Sequence, residues 1–151
     1  MESVVRLASL KILNIKNVRS GQIVLPMAFR KQLSYRHAEV LGLYGQNGSG
    51  KTAVIDTLYY LQGIMVGNTL EEELADYIGI NNDQAEITAD FNIFAGSTIY
   101  EVSYRVILQR KEKRAEIIRE SLSCAVNEGE CRSNKTVFMD YQRSDRDTIF
   151  S

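Results

Sequence analysis

The chain has 151 residues and a 44% hydrophobic content, enough for one domain with a core of its own. Basic and acidic side chains nearly cancel to a formal charge of −1, so composition gives no electrostatic case for nucleic acid as a partner. Cys124 and Cys131 lack the spacing of a zinc module, no apolar run approaches a membrane span, and the first residues lack a signal-peptide pattern. Zinc-finger, membrane and secreted classes are therefore set aside, and a reducing cytoplasm is the expected compartment.

Residues 7–15 set Leu10, Ile12, Leu13 and Ile15 among Lys11 and Asn14, a β-rich pattern that predicts a first strand. Turn residues occupy 17–21, and residues 22–25 resume an apolar run that Pro26 cuts off, predicting a hairpin. Residues 27–36 are poorly periodic. Residues 39–44 then read as a buried strand.

That strand feeds the most informative stretch of the chain. Gly45, Gln46, Asn47, Gly48, Ser49, Gly50, Lys51 and Thr52 fill every fixed position of Gly-x-x-x-x-Gly-Lys-[Ser/Thr], the Walker A phosphate-binding pattern. At average composition the four fixed positions recur by chance in roughly one chain in 200 of this length, so a coincidental glycine turn is the weaker reading. Each residue has a physical task. Glycines let successive N–H groups converge on one anion, and a helix starting near Gly50 adds unpaired donors and the positive end of its dipole. Lys51 brings a mobile charge to the β- and γ-phosphates, and the Thr52 hydroxyl is the expected ligand of a bridging Mg2+.

After the loop, Val54, Ile55, Leu58 and Leu61 repeat at helical spacing, with Gly63 as the expected stop. Thr69, Leu70, Glu71 and Glu72 form a capping-box pattern ahead of Leu74, Tyr77 and Ile78, predicting a second helix that Gly79 ends. From Ala85 the period becomes two. Ile87, Ala89, Phe91 and Ile93 alternate with polar residues, Gly96 and Ser97 turn the chain, and Tyr100, Val102, Tyr104, Val106 and Leu108 alternate back, predicting a hairpin. Residues 110–114 form a charged tip, expected to be a solvated turn. Residues 115–126 fit helix or strand, and with the β-rich residues 136–141 a continuing meander is favoured.

Three of these features together resemble AAA-type ATPases of the RecF, structural-maintenance-of-chromosomes (SMC) and overcoming-lysogenization-defect (OLD) nuclease kind, whose heads are related to those of ABC transporters. Residues 9–20 look like their opening strand and turn, residues 46–52 like their Asn-Gly-Ser-Gly-Lys loop, and the hairpins from Ala85 like their antiparallel lobe. The resemblance implies an α/β fold, the N-terminal lobe of a P-loop NTPase, with a mixed sheet, a phosphate-loop helix and an antiparallel meander. The expected organisation is a single truncated domain over residues 1–151: strands, loop and helix over 1–68, a second helix over 69–84 and the meander over 85–151. In such proteins the opening turn lies beside the nucleotide, which makes Arg19 and Ser20 candidates for its phosphate side; an ordinary hairpin turn is the alternative.

The rest of such a head is not evident. Val137, Phe138, Met139 and Asp140 imitate the end of a Walker B strand, but Tyr141 stands where its glutamate belongs. Gln109 is a weak candidate for a magnesium-sensing glutamine, and His37, the one histidine, precedes the motifs it would have to follow. The expected function is ATP binding through the Walker A loop, with ATP and Mg2+ as cofactors, as the N-terminal part of an ATPase in DNA transactions or phage defence. Head-to-head dimerisation and DNA as a partner follow from the resemblance alone; no membrane is expected. The alternatives are a small-molecule kinase or nucleotide-metabolising enzyme, and a regulatory nucleotide-binding module without turnover.

Overall fold

Alternation with a period of two governs most of the chain, and the structure, a computed structural model describing residues 3–26, 40–128 and 131–143, turns it into one antiparallel sheet with helices on one face. In chain order the elements are β1 (Ser3–Ile15), β2 (Val18–Val24), α1 (Lys51–Met65), α2 (Leu74–Tyr77), β3 (Gln84–Ala95), β4 (Thr98–Lys111), β5 (Arg114–Glu128), β6 (Cys131–Arg132) and β7 (Thr136–Gln142). The sheet runs β2-β1-β3-β4-β5-β6, and β7 also pairs with β5.

The register explains where the core sits. Leu10 lies opposite Ala89, which lies opposite Tyr104; Ile12, Ile87 and Val106 form the next row, and Ala85 faces Leu108. These rows put one apolar face against a single stripe of α1, namely Ala53, Tyr60, Leu61 and Ile64, and against Leu74 and Ala75 of α2. Leu10, Ile87, Val106 and Leu108 are essentially without solvent contact, and burial of each such side chain contributes about 1.5–3 kcal/mol. Thr57 is buried in the same stripe, its hydroxyl donating to the Ala53 carbonyl at 2.6 Å. On the opposite face Arg105 donates twice to the Glu86 carboxylate, at 2.9 and 2.7 Å.

The expected α/β architecture is corrected by this topology. Every strand pairing among the described residues is antiparallel, so there is no mixed sheet. Of residues 39–44, expected to form a buried core strand, 40–44 form no strand, and Val40 and Tyr44 stand almost fully exposed; Glu39 lies outside the described residues. A strand of a parallel sheet needs a partner strand and cover on both faces, and no described strand pairs with this run. With the mixed sheet falls the description of the described chain as a P-loop ATPase head of AAA, SMC-like or ABC-ATPase-like build. What stands in its place is an antiparallel sheet carrying helices on one face.

The second helix is also shorter than expected. Only Leu74–Tyr77 is helical, and the capping box at Thr69 is not formed. Its acids serve other elements: the Tyr59 hydroxyl donates to Glu71 at 3.1 Å, and Glu72 pairs with Arg114 at 3.4 Å. After Tyr77 the end of β1 takes over the backbone, with Ile78 bridged to Ile15 and the Gly79 N–H donating to Asn14 O at 2.8 Å. Arg110, expected in a solvated tip, instead donates to two carbonyls at the end of α2: that of Ala75, at 3.1 Å, which also accepts the Ile78 N–H at 3.3 Å, and that of Ile78.

Candidate functional site

Residues 45–52 lead into α1 from the side of the β1–β2 turn. Gly50 is the residue before the helix, with φ 90°, a left-handed conformation that favours glycine. It is also tightly packed, since a Cβ there would come within 2.5 Å of Val18 Cγ2. Gly48 has φ 81° and nothing near its missing side chain, so there the requirement is backbone conformation alone.

Among the described residues no side chain caps α1. The Val54 N–H donates to Gly50 O at 3.2 Å as an early bond of the helix, which leaves the N–H groups of Lys51, Thr52 and Ala53 without an intrahelical acceptor. No acidic residue sits in the first turn. The Lys51 ammonium folds back over the loop, donating to the carbonyls of Gly45 and Gln46, both at 2.7 Å, and to Ser49 Oγ at 3.1 Å. A full positive charge and backbone donors that have no acceptor among the described residues therefore meet at one place, which is the chemistry that holds a polyanion. Gln46, Asn47, Ser49 and Thr52 are exposed around it.

The β1–β2 turn braces this loop. The Asn17 amide donates to Gly48 O, and Val18 packs under Gly50. On its other side the turn is tied down by the Lys16 N–H, which donates to Tyr77 O at 2.6 Å. The Lys16 ammonium bonds Asp56 of α1 and lies 4.1 Å from the centre of the Tyr77 ring. Partial burial pulls the Lys16 pKa down, but the Asp56 carboxylate and Tyr77 outweigh it and leave it above the ordinary lysine value.

Asn17 and Val18, rather than Arg19 and Ser20, thus make the turn's contacts with the loop. Arg19 lines a neighbouring cavity of about 520 Å³ together with Lys16, Asn17, Asn81 and Asn82, and Ser20 pairs across the hairpin with Leu13. The role of Asn17 was missed in the sequence; its one signal was an amide in the turn the resemblance places near a nucleotide.

The weaker candidates lie elsewhere. Asp140 is on β7, opposite Ser121 and in an exposed ion pair with Arg119 at 3.2 Å. Gln109 sits opposite Gln84 in the β3–β4 ladder, and His37 lies outside the described residues. The Cys124 thiol is half-buried, and burial pushes its pKa up, the opposite of an activated nucleophile. Among the described residues no cluster of three His, Cys, Asp or Glu is arranged to hold a metal, and no helix is long and apolar enough to cross a membrane. No protein-family model matches the chain, and no curated protein matches it either.

Proposed function

We propose that residues 45–52 bind the polyphosphate of a magnesium-bound nucleoside triphosphate, ATP being the form to test first. The observation that carries the reading is the Lys51 ammonium lying over the uncapped start of α1, held by two loop carbonyls that phosphate oxygens can replace as its partners. In this reading the backbone N–H groups of the loop and Lys51 take the phosphates. Thr52, exposed at the first helical turn, takes the Mg2+ through its hydroxyl. The nucleoside extends toward the asparagine-lined cavity that Arg19 borders.

Titration calorimetry with Mg-ATP, beside circular dichroism, tests it. Lys51→Ala is expected to abolish binding and leave the fold intact, and unchanged affinity in that variant overturns the proposal. Thr52→Ala is expected to weaken binding only when Mg2+ is present. At ATP about 100 times the dissociation constant, binding adds roughly 2.7 kcal/mol to stability, a readily visible rise in Tm.

Binding without turnover is the favoured form of this activity for residues 1–151. Hydrolysis needs a group that orients water, and Asp140, the carboxylate the sequence suggested, is exposed and committed to Arg119. Phosphate release by the chain is expected to equal that of the Lys51→Ala control. Turnover well above the control, lost in Asp140→Ala, overturns this part.

A further inference from the structure

The sheet face away from the helices carries a second cavity, of about 500 Å³, within the range of roughly 300–1,000 Å³ common for small-molecule sites. Its origin is in the register. Ala89 and Tyr104 point into the core, so their neighbours Asp90 and Ser103 point the other way, and these two lie directly opposite each other. Ser9 of β1 is opposite Asp90 on the far side, and Ser123 of β5 is opposite Ser103. One cross-strand row thus consists of short side chains, where the next row carries the long chains of Lys11 and Arg105 beside Thr88. The short row makes a depression in the sheet.

The chemistry of that depression is two-signed. At its floor the Ser9 hydroxyl, buried, donates to the Asp90 carboxylate at 2.6 Å, leaving the carboxylate with acceptor capacity toward the cavity. On the β5–β6 side Arg132 neutralises Glu101, which leaves Lys135 as a lining cation with no ion pair among the described residues. A carboxylate flanked by hydroxyls at the floor and a spare ammonium at the wall suit a ligand that carries both charges.

We propose that this cavity is a binding site for a small zwitterion of the amino-acid class, its ammonium on Asp90 and its carboxylate on Lys135. Asp90 accepts the ligand ammonium beside the Ser9 and Ser103 hydroxyls, and Lys135 closes on the carboxylate from the segment after β6. The site lies on the face opposite α1, so it is independent of the glycine loop and stands or falls apart from nucleotide binding.

The test is a thermal-shift and calorimetry screen of the full chain against the standard amino acids at millimolar concentration. Each one that binds is then repeated as its N-acetyl and its C-amide derivative. At least one free amino acid is expected to bind, and both blocked forms are expected to bind at least about tenfold more weakly, the value of one charge-assisted hydrogen bond. Asp90→Asn keeps the bond to Ser9 and is expected to erase the discrimination against the N-acetyl form. Lys135→Met, in an exposed segment outside the core, is expected to erase the discrimination against the amide. No binding by any amino acid to the folded wild-type chain, or binding untouched by both substitutions, overturns the proposal.

Discussion

The β3–β5 meander and the loop over residues 45–52 are held in opposite ways. In the meander the strands are fixed by their partner strands, and the side chains of the apolar face by burial, so that Ile87, Val106 and Leu108 are essentially without solvent contact. In the loop nearly every side chain is exposed, and shape comes from a few directional contacts: Asn17 to Gly48 O, Val18 beneath Gly50, and Lys51 across the Gly45 and Gln46 carbonyls. Stability and binding capacity are thereby separated. A sheet carries the free energy of folding, and an open loop at its margin, where the proposed ligand sits, has helix-start donors with no acceptor among the described residues.

Substitutions that damage one region and spare the other sharpen this contrast. The largest effect is expected from Leu108→Ala, which leaves a cavity between sheet and helices and costs about 2–5 kcal/mol, read as a lower urea midpoint. Nucleotide affinity of the remaining folded protein is expected to be unchanged. A comparable loss of affinity would show that the loop is shaped by the core and break the comparison.

Gly50→Ala is next. It places a Cβ on a left-handed backbone and against Val18, at an expected cost of about 1–3 kcal/mol, together with loss of nucleotide binding. Adding Val18→Ala removes the contact but not the backbone strain, so a double-mutant cycle by urea denaturation is expected to show partial rescue. Full rescue would mean that the left-handed conformation costs nothing there.

Acid stability probes the sheet's open face. The hydrogen bonds from Arg105 lower the Glu86 pKa below the ordinary glutamate value, against the opposing effect of burial. A depressed folded-state pKa means that the unfolded chain binds the proton more readily. The stabilisation is therefore complete above the unfolded value of about 4.3 and is lost as pH falls through the folded one. Glu86→Gln is expected to flatten the fall of the urea midpoint between neutral and strongly acid pH, and an unaltered slope would remove Glu86 from that account. The smallest effect is expected at the exposed Arg119–Asp140 pair, where Asp140→Ala should change stability by less than about 1 kcal/mol and leave ATP affinity as it was.

What the sequence disclosed follows the range of the interactions involved. The alternation around Ile87 and Val106 and the turn at Gly96 and Ser97 are local, and they mark the β3–β4 hairpin without knowledge of the rest of the chain. Residues 40–44 have the composition of a strand, but composition records a preference and not a partner, and no described strand pairs with them. The capping box at Thr69 is a local pattern that the fold does not use: helix begins only at Leu74, and Glu72 faces Arg114 instead. At the site, the glycine positions and Lys51 were legible because their spacing is the motif. The brace was not, because Asn17 meets Gly48 across 31 residues of sequence.

β1 sits in the sheet between β2, which follows it at once, and β3, which begins at Gln84. Its pairing with β2 needs only a tight turn and can form early. Its other edge has to wait for a segment far down the chain, since Leu10 pairs with Ala89, 79 residues later. At synthesis rates of about 5–20 residues per second, roughly 4–16 seconds separate the two as the nascent chain grows. Throughout that interval an apolar strand stands with one side open, as a template for any passing strand. Joining it to β3 then carries the entropy of closing a long loop, a step absent from the β3–β4 and β4–β5 hairpins. The slowest step in refolding is accordingly expected where the first strand meets the third.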